Sequence, residues 1–585
     1  MSVGGDTLNG AGSAGGIPAL KKNKMGMWTV AFMIFCLCAG GCFGIEEMIS
    51  SCGPGMTIAL LLIIPIVYGY PVGLVCAELG SAMPDEGGFY VWPKKAFGEF
   101  WGFQAGWWRT VATYIDNTLY VILGGAYVSV AFDLDPTADY LAKVGMITLF
   151  IIINLKGLRE VGFLSSVLAV LVLLAFTLVA VVGVLHWQFN PVTPFLPPGS
   201  GFAETLGTGL AIAMWCYCGY ESMSSLAGEM ENPQVIPKAL IIAIPAIAFI
   251  YVIPTLAGVA SLGHWDEWSP DGGYTYSMVL TQYVSPVFGV IFAFVAVAAN
   301  LGIYNSYVAS GSRGFFVLAE DNLAPKVLTK LGKKSGVPWV AIILMGITNA
   351  ILCRFAFEMV VVIDVFVYMF SQALMMFAAM KLRKTMPERQ KGTFRIPLGD
   401  KGLAVLCIVP VIVMVVALYI NGTDYFIGGI VGVLSGPIAY VIFKWAYKGL
   451  WKKEPKAYPL NRKTRLGVHD LRHISDMLFI IAAVAAIGAI FLPWYEDSWG
   501  QWANGYLAGD PSEWAGLDAS EYTETADGVW IKGYYESMYG VRDIFGTFVT
   551  AIRVSVPVCA VLALLLRIAD RRVQRHGVLD SAEQA

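Results

Sequence analysis

The stretch AGGCFGIE at residues 39–46 decides the fold, because it interrupts an apolar run from Trp28 to Ile49. A second stretch, WCYCGYE at residues 215–221, interrupts another apolar run. Each contains a glycine followed two residues later by a glutamate. A glycine weakens a helix by about 1 kcal/mol relative to alanine, and a charge near mid-membrane costs at least about 2.5 kcal/mol. Both stretches combine a helix-weakening glycine with a buried charge. This combination predicts two discontinuous helices whose interrupted backbone faces a solute at the bilayer midplane.

The composition is that of a protein with many membrane spans. Of 585 residues, 57% are hydrophobic and 14% are charged, whereas soluble domains carry about 25% charged residues. A hydrocarbon core of about 30 Å requires about 20 apolar residues per helix. Fourteen such runs lie near residues 28–51, 56–79, 100–131, 141–155, 161–186, 205–228, 237–262, 276–311, 338–356, 358–380, 402–420, 423–446, 475–494 and 545–567.

The predicted loops alternate in charge along the chain. Loops such as 381–395 and 448–472 are basic, whereas loops such as 133–139 and 266–271 are acidic. Because basic loops stay in the cytoplasm, fourteen spans predict a multi-pass plasma-membrane protein with both termini cytoplasmic.

The same pattern divides the chain into four regions. We predict a disordered cytoplasmic tail over 1–26, a twelve-helix core over 27–447 and a basic cytoplasmic linker over 448–473. The last region, 474–585, is predicted to hold two extra transmembrane helices, an acidic extracellular loop at 495–542 and a basic cytoplasmic tail.

The order of the spans predicts an internal repeat. The first ten spans divide into two halves of five, and an interrupted span leads each half. Since five is odd, the second half inserts upside down relative to the first, which is the inverted-repeat plan of many secondary transporters. The predicted fold is therefore an all-α integral membrane protein with a 5+5 inverted repeat, twelve core helices and two C-terminal helices, fourteen in total.

The first interruption is predicted to form part of a binding site. Irregular backbone at this depth is tolerated only where protein or a water-filled cavity surrounds it. Freed N–H groups suit a carboxylate, and freed carbonyls suit an ammonium or metal cation. We expect Glu46 to face the cavity, because its spacing from Gly44 matches that of Glu221 from Gly219. The alternative is that Glu46 and its neighbour Glu47 only complement the helix dipole.

Further polar side chains lie inside the predicted spans. Asp116 is buried by its position in the third span, and Arg109 is two turns away, too far to neutralise it directly. Asn300 and Tyr304 either line the cavity or join neighbouring helices. Burial near mid-membrane disfavours the charged form of Glu221, which makes it a candidate proton carrier. The alternative for Glu221 is a static hydrogen bond.

Five stretches resemble the amino acid–polyamine–organocation (APC) superfamily, most closely its polyamine-transporter and amino-acid-exchanger branches. They are GGCFGIEE at 40–47, AELGSAMPDEGG at 77–88, WGFQAGW at 101–107, IDN at 115–117 and LAGEMENP at 226–233. They occur in order within about 420 residues that end at residue 447. The resemblance implies a leucine-transporter-type fold with discontinuous helices 1 and 6, and an alternating-access mechanism.

The resemblance also implies roles for individual residues. The glycines of the first interruption would bind the carboxylate or main amine of a substrate. Trp215 is similar to a gating aromatic residue that stacks on a guanidinium or ammonium, although it could instead only pack between helices. Glu221 is similar to an acid-sensing carboxylate. The predicted substrate-binding residues are Gly40, Gly41, Gly44, Glu46, Asp116, Trp215 and Gly219.

These features predict a secondary active transporter of amino acids or polyamines, preferentially cationic ones, that works by proton symport or exchange. Three carboxylates, those of Glu46, Asp116 and Glu221, would favour a dication. The expected partners are the small-molecule substrate, the lipid bilayer and H⁺ or Na⁺ as coupling ion. The alternative is a membrane sensor or scaffold that retains the transporter fold.

Other classes of function lack support in the sequence. It contains no metal-ligand cluster, nucleophile elbow or phosphate loop, so we expect no enzyme, no cofactor and no metal site. Membrane topology accounts for the basic runs, and we therefore expect no nucleic-acid partner. The particular amine and the oligomeric state stay open at this point.

Overall fold

The computed structural model describes most of the first 446 residues and small parts of the remainder. The described residues are 26–39, 42–83, 87–132, 134–219, 235–269, 273–333, 335–355, 357–386, 394–420, 423–446, 472, 475–476, 478–479, 482, 522–525, 528–531 and 556–571. The chain divides into two compact units, Met1–Gly449 and Leu450–Ala585.

The first unit is built from helices. In chain order they are α1 (Met27–Cys38), α2 (Ile45–Cys52), α3 (Pro54–Ile64), α4 (Tyr70–Ala82), α5 (Gly88–Phe97), α6 (Glu99–Phe132), α7 (Pro136–Lys156), α8 (Leu158–Leu185), α9 (Phe202–Cys216), α10 (Ile236–Leu262), α11 (Tyr276–Tyr283), α12 (Pro286–Glu320), α13 (Trp339–Leu352), α14 (Phe357–Thr385), α15 (Asp400–Ile420) and α16 (Thr423–Ala446). A π-helical turn, Pro65–Gly69, joins α3 to α4.

The first predicted interruption is present as a break between α1 and α2. Ala39 is extended, with φ −141° and ψ 107°, so α1 ends at Cys38. Gly44 precedes α2 with φ +85°, a left-handed conformation that glycine adopts without the steric cost of a Cβ atom. Gly44 therefore allows the chain to enter α2 directly after the break.

The structure describes the second predicted interruption only up to Gly219. Helix α9 ends at Cys216, and Gly219 has φ +100°, so the chain leaves the helix at the expected place. Residues 220–234, which include Glu221, lie outside the described residues. A second half-helix after Gly219 therefore stays a prediction.

The helices turn apolar side chains outward and polar ones inward. Among the described residues, six helices are long and apolar enough to cross a membrane. The interior holds buried polar residues such as Asn117, Thr118 and Asn305. Apolar side chains on the outside, around an apolar interior that also holds polar groups, fit a lipid surround. Helix α8 shows the outward stripe at helical spacing, with Leu171, Leu174, Leu178, Val181 and Leu185 exposed.

Helix α6 lies at the centre of the first unit, where it packs against α5, α12, α14 and α16. The broken helix lies beside this centre: α1 contacts α8, α10 and α12, and α2 contacts α9. These contacts bring the break in the first helix and the end of α9 to the same part of the bundle.

One predicted span differs from the structure. Residues 276–311 were expected to form a single helix, but the chain forms α11 and then α12, which continues to Glu320. Ser285 and Pro286 cause the division. The Ser285 hydroxyl accepts a hydrogen bond from the Val287 N–H at 3.3 Å, and proline is favoured as the first residue of a new helix.

The second unit contains a helix, α17 (556–571), and a β-hairpin. The Ser475 hydroxyl donates to the Ala563 carbonyl at 2.8 Å, and Arg567 pairs with Asp476 at 2.8 Å. Strands β1 (Tyr522–Thr525) and β2 (Gly528–Ile531) are antiparallel, with Tyr522 opposite Ile531. The hairpin lies in the region predicted as an acidic loop, and the all-α prediction misses it.

Candidate functional site

The carboxylate of Glu46 is fully buried next to the break in the first helix. The Gly44 N–H donates to its Oε2 atom at 3.0 Å, and the Tyr127 hydroxyl donates to its Oε1 atom at 2.6 Å. Both donors are neutral. Among the described residues, Glu46 therefore has hydrogen-bond donors but no cationic partner.

The neighbouring carboxylate, Glu47, points elsewhere. It is half-buried, and the Ser269 hydroxyl donates to its Oε2 atom at 3.4 Å. Adjacent residues on a helix point about 100° apart, so α2 turns one carboxylate into the protein and the other towards the loop before α11. The sequence analysis expects Glu46 rather than Glu47 to face the cavity, and Glu46 is the buried residue of the two.

A second buried carboxylate, Asp116 on α6, accepts a hydrogen bond from the Trp215 indole N–H at 2.8 Å. Trp215 lies in the last turn of α9. A Cβ atom added to Gly44 would lie 3.2 Å from the Trp215 ring and 3.1 Å from the Phe357 ring. The break in the first helix and the end of α9 therefore meet at Trp215.

Aromatic rings extend from Trp215 across the bundle. Trp215 stacks on Tyr120, and Tyr120 stacks on Tyr307, in both cases with ring centroids 5.6 Å apart and planes 27° apart. Phe357 meets Trp215 edge-on, with centroids 5.6 Å apart. Because aromatic faces attract cations, this wall is suited to an ammonium or guanidinium group.

The ends of two helices converge on one hydroxyl group. The Tyr251 hydroxyl of α10 lies 2.8 Å from the carbonyl oxygen of Cys38 and 3.1 Å from that of Cys216. These residues end α1 and α9. Carbonyls at a helix C-terminus carry partial negative charge, so the convergence creates a second feature that favours a cation.

A small cavity lies between these groups. Its walls include Cys38, Tyr120, Trp215, Cys216, Tyr251 and Asn300, and its volume is about 10 Å³. That space holds about one water molecule. The described conformation is therefore closed around the site, and a substrate requires the walls to separate.

The remaining predicted residues have different positions. Asn300 lines the cavity, and its amide donates to the Ala296 carbonyl at 3.0 Å. Tyr304 instead donates to Asn349 Oδ1 at 3.2 Å and joins α12 to α13. The Gly219 N–H donates to the Tyr368 hydroxyl at 3.2 Å. Gly40, Gly41 and Glu221 lie outside the described residues.

The sequence analysis did not identify Tyr120, Tyr127 and Tyr251 as part of the site. Tyr120 and Tyr127 follow Asp116 by four and eleven residues on α6. At about 100° per residue, both fall on the same helix face as Asp116. This spacing was a usable signal, whereas no pattern in α10 singles out Tyr251.

Comparisons with known proteins show the family and support the fold. A sequence model of the family described as amino acid permease matches residues 25–446. Polyamine transporter RMV1 of Arabidopsis thaliana is 27% identical over 445 residues, which are 74% of this chain and 89% of that protein. Polyamine transporter PUT1 of Oryza sativa subsp. japonica is 27% identical over 454 residues, covering 75% and 82%.

A third relative, a probable polyamine transporter of Arabidopsis thaliana, is 30% identical over 427 residues, covering 70% of this chain and 86% of the relative. The solved structure of MhsT in complex with L-phenylalanine superposes with a TM-score of 0.51 at 15% identity, covering 69% of this chain and 100% of that one. That likeness supports a leucine-transporter-type fold. The predicted resemblance is confirmed: this multi-pass membrane protein belongs to the amino acid permease family and is a transporter, not an enzyme.

Proposed function

We propose that this permease carries positively charged amines, either polyamines or cationic amino acids, by secondary active transport with alternating access. The observation that carries the proposal is the carboxylate of Glu46. It is fully buried beside the helix break, and its two donors are neutral. Taking a carboxylate out of water costs several kcal/mol unless a cation balances it. A substrate ammonium group, or a proton between transport steps, supplies that balance.

Asp116 supplies a second anionic group at another depth. Tyr127, which binds Glu46, lies eleven residues after Asp116 on α6, a rise of about 16 Å along the helix axis. Carboxylates at two levels suit a substrate with positive charges at both ends, such as a linear diamine. Three relatives that carry the name polyamine transporter support the same substrate class.

The finer features predicted from the sequence belong to this proposal. They comprise fourteen spans with a 5+5 inverted repeat, a location in the plasma membrane and cytoplasmic termini. The backbone of Gly40, Gly41, Gly44 and Gly219 contacts substrate, and Glu221 is the candidate proton carrier. Transport is by proton symport or by exchange, and Na⁺ is the other candidate coupling ion.

The test compares two adjacent glutamates in purified protein reconstituted into liposomes. Uptake of labelled putrescine, lysine and alanine is measured for wild type, Glu46→Gln and Glu47→Gln. A hydrogen bond to a charged group contributes about 1.5–3 kcal/mol, and 1.4 kcal/mol corresponds to tenfold. We therefore expect Glu46→Gln to reduce uptake of the cationic substrates at least about tenfold and to affect alanine less. Glu47→Gln should behave as wild type.

Two results would contradict the proposal. If Glu46→Gln reduced uptake of cationic and neutral substrates equally, this carboxylate would not balance the substrate charge. Wild-type protein that takes up none of the amines, and shows no counterflow of them, would favour a sensor or scaffold.

A further inference from the structure

The hydroxyl group of Tyr307 is a buried polar group that the site described above does not use. Tyr307 lies on α12 and is 0% exposed. Within the described part of the chain, its hydroxyl oxygen has no hydrogen-bond partner. Buried hydroxyl groups in proteins are normally hydrogen-bonded, and each exception calls for an explanation. One explanation is a partner that arrives with a ligand.

The surroundings of Tyr307 place this hydroxyl at the candidate site. Its ring is the last of the three stacked rings that begin at Trp215 and continue through Tyr120. The hydroxyl is within electrostatic range of Asp116, the carboxylate that accepts from Trp215, and of Cys38, which lines the cavity. Tyr307 is therefore joined to the Tyr120 wall by ring stacking, and its hydroxyl is close enough to Asp116 to interact with it electrostatically.

We propose that Tyr307 determines specificity: its hydroxyl oxygen accepts a hydrogen bond from the substrate amino group whose charge Asp116 balances. The inference rests on the proposed function and adds a residue to it. An ammonium group has three N–H donors, enough for the Asp116 carboxylate and the Tyr307 hydroxyl together. A phenolic oxygen accepts such a donor without adding charge.

A cation, Arg109, influences this position and makes contacts with other residues. Arg109 is also within electrostatic range of the Tyr307 hydroxyl. Its guanidinium lies 4.7 Å from the centroid of the Tyr368 ring on α14 and donates a hydrogen bond to Thr113. These contacts join the guanidinium to α14 and to its own helix, and neither of them uses the Tyr307 hydroxyl.

The chain offers a matched control on the same helix. Tyr304 lies three residues before Tyr307 and is equally buried at 0% exposure, but its hydroxyl already donates to Asn349 at 3.2 Å. Removing the Tyr304 hydroxyl breaks a contact between helices. Removing the Tyr307 hydroxyl breaks no contact within the described protein.

The experiment measures the dissociation constant for putrescine by calorimetry, and the melting temperature without ligand, for wild type, Tyr307→Phe and Tyr304→Phe. Lysine replaces putrescine if wild type binds lysine more tightly. We expect Tyr307→Phe to weaken amine binding about tenfold, the equivalent of one hydrogen bond to a charged group, with an unchanged or raised melting temperature. Tyr304→Phe should lower the melting temperature and change binding less than twofold.

A double variant tests whether Asp116 and Tyr307 contact the same amino group. In an Asp116→Asn background, Tyr307→Phe should have a clearly smaller effect than in wild type, because effects on a shared contact are not additive. Full additivity, or unchanged binding in Tyr307→Phe, would overturn the inference and leave the proposed function intact. Wild-type protein that binds neither amine would instead overturn the proposed function itself.

Discussion

The described part of the first unit contains two contrasting kinds of buried carboxylate, and we propose that they differ in having a structural or a transport role. At the ends of helices, Glu78 pairs with Arg383, and Glu99 pairs with Lys444 at 2.8 Å. At the centre, Glu46 is equally buried, and its donors among the described residues are backbone N–H groups and a tyrosine hydroxyl. A carboxylate with a built-in cation fixes its surroundings permanently. A carboxylate held by neutral donors keeps its charge available to a cation that comes and goes.

The Glu78–Arg383 ion pair is an example of a buried carboxylate that holds neighbouring segments together. Its two residues lie on α4 and α14, and the same groups also hold the chain that leads to α15. The Ile396 N–H donates to Glu78 at 2.8 Å, and Arg383 donates to the Leu398 carbonyl at 2.7 Å. The pair thus joins two helices and a connecting segment through charged groups, whereas Glu46 is joined to α6 by one neutral hydroxyl.

The largest expected effect is at the helix break itself. Gly44→Leu should reduce uptake in liposomes to the level of empty vesicles, because Gly44 has φ +85° and its Cβ position lies 3.1–3.2 Å from the rings of Phe357 and Trp215. Gly145→Leu is the control, since Gly145 is exposed on α7 with nothing within 4 Å of its Cβ position. Retained transport in Gly44→Leu would mean that the break does not form the site.

The next effect concerns the fixed pair. Arg383→Met should lower the free energy of unfolding by about 3–5 kcal/mol, because it leaves a buried carboxylate uncompensated. The double variant Glu78→Leu/Arg383→Met should recover much of this loss. Denaturant unfolding in detergent micelles measures both. If Glu46→Gln destabilised the protein as strongly as Arg383→Met, the two kinds of carboxylate would not differ as argued.

A smaller effect is expected at the second carboxylate of the centre. Trp215→Phe removes the indole N–H that binds Asp116 and should weaken amine binding about tenfold, the loss expected for a hydrogen bond to a charged group. Trp108→Phe removes an equally buried indole bond, 2.9 Å to the Val433 carbonyl, and should leave the dissociation constant unchanged. Equal effects on binding in the two variants would argue against a direct role for Trp215.

The break in the first helix was predictable because the residues that disfavour a continuous helix there are close together in the sequence. Glycines weaken a helix wherever they stand, and Gly44 and Glu46 are close together in the sequence. The choice of Glu46 over Glu47 rested only on the matched glycine–glutamate spacing, and its physical basis is not local. It depends on how α2 is rotated against Tyr127 of α6, and that rotation is set by tertiary packing rather than by the sequence of α2.

The contact between Asp116 and Trp215 joins residues 99 positions apart, and no local pattern encodes such a pair. The hairpin in the second unit is different. Tyr522–Thr525 and Gly528–Ile531 are rich in β-branched and aromatic residues and are separated by two residues in the sequence, Ala526 and Asp527. This was a readable strand signal, hidden within a segment whose acidic charge suggested only a loop.

The Tyr251 hydroxyl carries a single proton but faces two acceptors, the carbonyl oxygens of Cys38 and Cys216. At any instant it can satisfy only one of them fully. The ends of α1 and α9 therefore compete for one hydrogen bond from Tyr251, and the end that moves away from the hydroxyl loses it. If the bundle opens between α1 and α9, we expect one helix end to keep this hydrogen bond to α10 and the other carbonyl oxygen to become available to a solute.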